Sequence, residues 1–153
     1  MKIEERITRL GLVLPPAPQA GGIYKPVVVL DDLVFVSGQP PCRQDGSLIT
    51  GKVGRELTIE EGKGAARQAG LTMLATLKKE LGDLDRIWRL IKTLGMVNCL
   101  QDFDQQPQVI NGFSQLMVDL CGEDNGKGAR SAVGMTLPGN IAVEVEAIFQ
   151  LGD

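Results

Sequence analysis

Apolar and polar positions alternate most cleanly near the C-terminal end. There Val143, Val145, Ala147 and Phe149 fall on one face and Ala142, Glu144, Glu146 and Ile148 on the other. A period of two predicts a half-buried strand. Before it lies a second β-favouring run, beginning at Ala129-Arg130-Ser131, and the two are separated by Leu137-Pro138-Gly139-Asn140, a string dense in turn formers. The expectation is a terminal β-hairpin with an arginine at its start and two carboxylates on its second strand. In such a hairpin Arg130 lies toward the end far from the turn, so local pairing alone need not set it against Glu144.

The same reading predicts a first hairpin from Val27-Val28-Val29-Leu30 and Leu33-Val34-Phe35-Val36-Ser37, joined by a tight Asp31-Asp32 turn. Residues 40–57 carry turn residues throughout and read as a loop with one short strand. Thr58-Ile59-Glu60-Glu61 is a capping box. After it, Ala65, Ala69, Met73, Leu74, Leu77 and Leu81 keep helical spacing up to a stop at Gly82. Gly62, Gly64 and Gly70 cost up to about 1 kcal/mol each in helix propensity. With the alanines, they predict close packing on a sheet. Residues 86–99 alternate as one long strand, with Ile87, Arg89, Ile91, Thr93, Gly95 and Val97 on one side. A second helix is expected over 107–120, burying Val109, Ile110, Phe113, Leu116, Met117 and Leu120, with Pro107 in its first turn. Ile3, Ile7, Leu10 and Leu12 predict a short N-terminal helix, ended by Leu14-Pro15-Pro16-Ala17-Pro18.

Helix, hairpin, long helix, strand, helix and hairpin make an α+β layer arrangement, a mixed sheet with two main helices on one face. Residues 1–20 read as an N-terminal helix with a proline-rich connector and 21–153 as the main domain. No helix is left for the other sheet face, so self-association through it is expected.

Charge and composition narrow the chemistry. A chain of 153 residues suits one domain. The net charge of −3 gives no overall attraction to a phosphate backbone. No apolar run is long enough for a membrane span, and the charged start Met1-Lys2-Ile3-Glu4-Glu5-Arg6 is unlike a secretory leader, so a cytoplasmic location is the default. The sequence has no histidine, which excludes Ser-His and Cys-His nucleophilic pairs and the histidine acid–base chemistry of many ribonucleases. Cys42, Cys99 and Cys121 are odd in number and far apart, as buried free thiols of a reducing compartment would be.

On pattern alone, Arg130 and Glu144 would be a solvated ion pair. Their neighbours point elsewhere. Ala129-Arg130-Ser131, then Leu137-Pro138, then Val143-Glu144-Val145-Glu146-Ala147-Ile148 closely resembles the closing motif of the RidA family, also called the YjgF or L-PSP endoribonuclease family. Ser37-Gly38-Gln39 at the end of the second strand resembles another landmark of that family. The resemblance spans roughly residue 21 onward. The N-terminal helix and a longer 101–111 connector depart from it, as in the longer branch of the family.

That resemblance implies a chorismate-mutase-like fold assembled as a homotrimer, with a site in each cleft between subunits and neither metal nor organic cofactor. It implies Glu144 as the catalytic carboxylate. It assigns substrate contacts to Arg130, Tyr24, Ser37, Gly38, Phe103, Asn111 and Ala132; the last stands where the family usually has cysteine and uses mainly the backbone. From the residues alone, Phe103 reads equally as core filling and Asn111 as an exposed helix amide. An arginine fork matches a carboxylate, and a glutamate can orient water, so the implied reaction is hydrolysis of 2-enamino or 2-imino acids to 2-keto acids and ammonia. The same cleft could instead hold a small carboxylate ligand without turnover. An endoribonuclease is disfavoured, with one tryptophan and one tyrosine available for base stacking.

Overall fold

The computed structural model describes residues 2–153. A helix α1 (Ile3–Arg9) opens the chain, and the strands β1 (Val27–Leu30) and β2 (Leu33–Gln39) follow as the expected antiparallel hairpin. Asp31 turns the corner at φ +54°, a conformation that aspartate tolerates better than most residues. Then come α2 (Ile59–Leu81), β3 (Ile87–Asn98), α3 (Gln106–Cys121), β4 (Ala129–Met135) and β5 (Val143–Leu151). The capping box starts α2 as the sequence predicts. The Thr58 hydroxyl accepts from the Glu61 amide and the Glu61 carboxylate from the Thr58 amide, both at 3.1 Å. The loop at 40–57 contains only isolated bridges, such as Cys42 to Leu48 and Thr50 to Ile141, in place of the short strand expected there.

The sheet order β1-β2-β5-β3-β4 corrects the terminal hairpin. β4 and β5 do not pair with each other. β3 lies between them, parallel to β4 and antiparallel to β5. The turn-rich Leu137-Pro138-Gly139-Asn140 string is a one-turn 3-10 step that carries the chain over the end of β3, with Gly139 at φ +64°. Pairing β3 along both edges satisfies the backbone of a twelve-residue strand that a two-stranded hairpin would have left unpaired. Parallel β3 and β4 need a crossover, and α3 supplies it.

Both long helices cover the same sheet face, and α1 joins that layer by burying Ile3 and Ile7 in the common core. Val143, Val145, Ala147 and Phe149 enter this core, as their alternation predicts. β3 departs from strict alternation. Register shifts at residues 87–89 and 90–92 turn Ile87, Leu90, Thr93, Gly95 and Val97 inward and leave Arg89 and Ile91 out of the buried set. Of the α2 glycines, Gly62 and Gly70 serve the neighbouring helix and loop rather than the sheet, and Gly64 faces open space. A methyl on Gly70 would meet Leu116 and Phe113 of α3, and one on Gly62 would meet Val53 and Val109. At Gly112 of α3, a methyl would sit 2.0 Å from the Lys63 carbonyl oxygen, which marks the closest approach of the two helices.

Among the described residues, no helix covers the opposite sheet face. Val28, Leu30 and Phe35 are exposed there, and a shallow 460 Å³ cavity runs past Phe35, Leu94 and Ile148 to Lys92 and Glu146. No helix is long and apolar enough to cross a membrane among the described residues.

Candidate functional site

The two charged residues singled out by the sequence lie on different parts of the protomer. Arg130 pairs with Thr93 across β3, and Glu144 with Met96 on its other side. They are therefore two strand spacings and three residues apart, about 10 Å in each direction. They also point to opposite faces. Arg130 reaches α3, where its Nη1 donates to Asn111 Oδ1 at 2.7 Å and to Ser114 Oγ at 3.2 Å. Glu144 alternates with the core residues Val143 and Val145, so its carboxylate lies on the helix-free side. One chain does not bring them together.

Glu144 is built into its place by β2. The register slips between Val36 and Gln39, so Ser37 and Gly38 bulge out opposite Glu146. The bulge is pinned at Ser37, whose amide donates to the Pro26 carbonyl at 2.9 Å and whose hydroxyl donates to the Lys25 carbonyl at 2.7 Å. The carboxyl of Glu144 lies against the backbone of Gly38. A methyl at position 38 would lie 2.8 Å from Cδ and Oε2 of Glu144, so only glycine leaves the carboxyl where it is. Burial pushes the Glu144 carboxyl above the usual glutamate range, and the neighbouring Glu146 carboxylate adds to the rise. Among the described residues, no hydrogen bond or ion pair neutralises it.

Arg130 is held differently. Two neutral oxygens fix one nitrogen of its guanidinium, no carboxylate pairs with it among the described residues, and the rest of the fork is left for an anion. Asn111 is thus an orienting partner of Arg130 rather than a loose surface amide. Ala132 is partly buried against the core two residues further along β4. Phe103 packs its ring against Gly54, which takes φ +88°, and its carbonyl accepts from the Gln106 side chain at 2.8 Å, so within the protomer it fills space. Tyr24 is exposed on the loop that leads to Lys25, with its hydroxyl accepting from the Gly21 amide at 3.1 Å. The predicted residues thus fall in two places: Ser37, Gly38 and Glu144 around the β2 bulge, with Tyr24 on the loop before it, and Arg130 with Asn111 at α3, with Ala132 further along β4.

Several further residues become neighbours of these groups only in the folded chain. Ser114 shares Arg130 with Asn111. Gln39 and Thr76 are buried at 3% and 2% exposure behind the bulge. Asn98, 1% exposed, ties its side chain to the Gly51 carbonyl, to Asn140 and to Lys52, and so fastens the loop before β5. Only position in three dimensions distinguishes them, though a threonine at helical spacing among leucines was the one available signal. The thiols are poor nucleophiles where a shift is resolved. Burial raises Cys42, and raises Cys121 to about 11.

The mixed five-stranded sheet with both long helices on one face, and a glycine bulge set against a half-buried glutamate, define a small α+β class. The family model for "YjgF/chorismate mutase-like, putative endoribonuclease" matches residues 4–145, and the chain belongs to that family. Protein TCP17 of Trypanosoma cruzi is 38% identical over 153 residues, spanning 99% of this chain and 96% of the relative. A solved structure from Shewanella oneidensis, described in the same endoribonuclease terms, is 31% identical with TM-score 0.92, covering 99% of this chain and 100% of its own. RidA from the Antarctic bacterium Psychrobacter is 27% identical with TM-score 0.59, covering 88% and 93%.

Proposed function

We propose that this protein is an enamine/imine deaminase, hydrolysing reactive 2-enamino and 2-imino acids to 2-keto acids and ammonia. The observation that carries this reading is Glu144: a half-buried carboxylate, raised in proton affinity, unpaired and fixed by the Gly38 backbone. A surface ion pair would have found its arginine. A carboxylate held apart from any cation and made more basic by burial is suited to take a proton from water.

The substrate carboxylate rests on the free edge of the Arg130 guanidinium, which Asn111 and Ser114 keep oriented. An enamine first takes a proton from solvent at carbon to become the iminium form of the imine. Glu144 then removes a proton from water as the water oxygen bonds to the C=N carbon, giving a carbinolamine. That proton passes from Glu144 to the nitrogen, the C–N bond breaks as the carbinolamine hydroxyl releases its proton to solvent, and ammonia leaves behind the keto acid. Imines of this kind already hydrolyse in water, so orientation and one proton shuttle suffice. No step calls for a metal or an organic cofactor.

Because Arg130 and Glu144 face away from each other within one chain, the complete site is assembled between copies. A homotrimer, with the helix-free sheet face turned inward, joins the Arg130 half-site of one copy to the Glu144 half-site of the next. The exposed apolar residues of that face support this assembly. RNA cleavage is the weaker reading, since the chain carries no histidine and a net charge of −3.

The test is a coupled assay. A pyridoxal-phosphate dehydratase generates 2-aminoacrylate from serine, and keto-acid release is followed with and without the protein and its Arg130→Ala variant. Acceleration that vanishes in the variant supports the deaminase. No acceleration, with larger imino acids included, leaves a member of the family that binds small carboxylates without turnover.

A further inference from the structure

Polar side chains line up along one face of α2 in the buried layer over the sheet. Gln68, Thr72 and Thr76 recur four residues apart on α2, and the two threonines are at most 2% exposed. Residues at this spacing stack on one helix face. Each of them bonds to the short segment that leaves the bulge. The Thr76 hydroxyl donates to Gln39 Oε1 at 2.9 Å, the Cys42 amide donates to Thr72 Oγ1 at 3.1 Å, and Gln68 Nε2 donates to the Cys42 carbonyl at 2.6 Å. Gln39 in turn folds its amide back across the bulge, with Nε2 donating to the Ser37 carbonyl at 3.0 Å.

Burying such groups stabilises little by itself, because desolvation offsets most of what the bonds return. An apolar residue at either threonine would leave Gln39 Oε1 or the Cys42 amide buried without its partner. What the line does accomplish is positional. The Thr76–Gln39–Ser37 chain braces the inner side of the bulge, and the outer side of that bulge is the surface on which the Glu144 carboxyl rests.

We infer that Thr76 and Gln39 are positioning residues, through which α2 sets the distance between the Ser37–Gly38 backbone and Glu144. The inference rests on the reading of Glu144 as the working carboxylate, but its consequence is visible without turnover. Within one copy the charged group beside Glu144 is Glu146 on its own strand; Gly38 on β2 and Met96 on β3, which flank it, carry no charge, and in the proposed assembly Arg130 of the next copy faces the site in wild type and variant alike. Movement of Gly38 away from Glu144 therefore changes the carboxyl's surroundings chiefly by admitting water.

The experiment compares wild type with Thr76→Val, which keeps the shape and deletes the donor, and with Thr76→Ser, which restores it. The titration of Glu144 is followed by carboxyl carbon NMR in the intact protein, well below the unfolding temperature. In Thr76→Val the Glu144 midpoint falls toward that of an ordinary glutamate, and Thr76→Ser returns it to the wild-type position. Where deaminase turnover is present, Thr76→Val also lowers kcat by about tenfold or more with KM little changed, as displacement of a catalytic group does. A Glu144 titration unchanged in Thr76→Val overturns the inference, even if the variant is less stable, since that result would make Thr76 a packing residue only. If Thr76→Val does not fold, Gln39→Met gives the same reading from the other end of the bond. A shifted titration in a protein without turnover retains the positioning role and removes only the deaminase.

Discussion

Replacing Gly38 with alanine separates function from stability. The added methyl would lie 2.8 Å from both Cδ and Oε2 of Glu144. Unbonded carbons settle at about 3.5–4.0 Å, so the carboxyl must retreat by about 1 Å. Gly38 is not among the positive-φ residues, so alanine meets no backbone strain there. What the methyl strikes is the free end of a flexible side chain. The cost in stability is therefore small, within about 1 kcal/mol. The cost in chemistry is large, since a misplacement of about 1 Å can lower a rate by about a hundredfold. Urea denaturation read beside the coupled keto-acid assay makes the comparison. Wild-type turnover in a folded Gly38→Ala protein would refute the role given to the Gly38–Glu144 contact. Outright unfolding would show that the methyl meets something stiffer than a carboxylate.

Other substitutions test neighbouring parts of the account. Gly112→Ala drives a methyl to 2.0 Å from the Lys63 carbonyl oxygen, where helix backbone cannot yield cheaply, and should lower the unfolding free energy by about 3 kcal/mol in denaturant titrations. Thr58→Ala deletes one arm of the capping box and should cost about 1 kcal/mol, read from the shift in urea midpoint at unchanged slope. Glu144 sets a pH dependence: its folded form holds its proton to higher pH than the unfolded chain, so the native state binds more protons in that interval and loses stability as pH rises through it. Glu144→Gln lacks this loss, so its stability relative to wild type should climb between the ordinary glutamate range and the raised one; a constant difference across that window would contradict the burial of the carboxyl.

Local residue patterns specified the elements and the inward faces of most of them. The capping box, the Asp31-Asp32 turn and the period-two run ending at Phe149 are local signals, written in residues that touch their neighbours in the chain. The family was legible for a related reason, since its motif residues stand at fixed spacings on single strands. Tertiary structure alone decided which strands meet. Leu137-Pro138-Gly139-Asn140 is equally compatible with a hairpin turn and with a step over a third strand, and the choice depends on β3 finding partners along both edges. The candidate site followed the same division. Arg130 and Glu144 could be picked out by type and spacing, but the register that turns them to opposite faces could not, nor could the slip at Ser37–Gly38 that seats the carboxyl. Thr76 was hidden most deeply. It lies on the buried face of a helix, and its hydroxyl has meaning only through Gln39, 37 residues away in the chain. Long-range pairing of that kind is a property of the folded state, because no local preference records it.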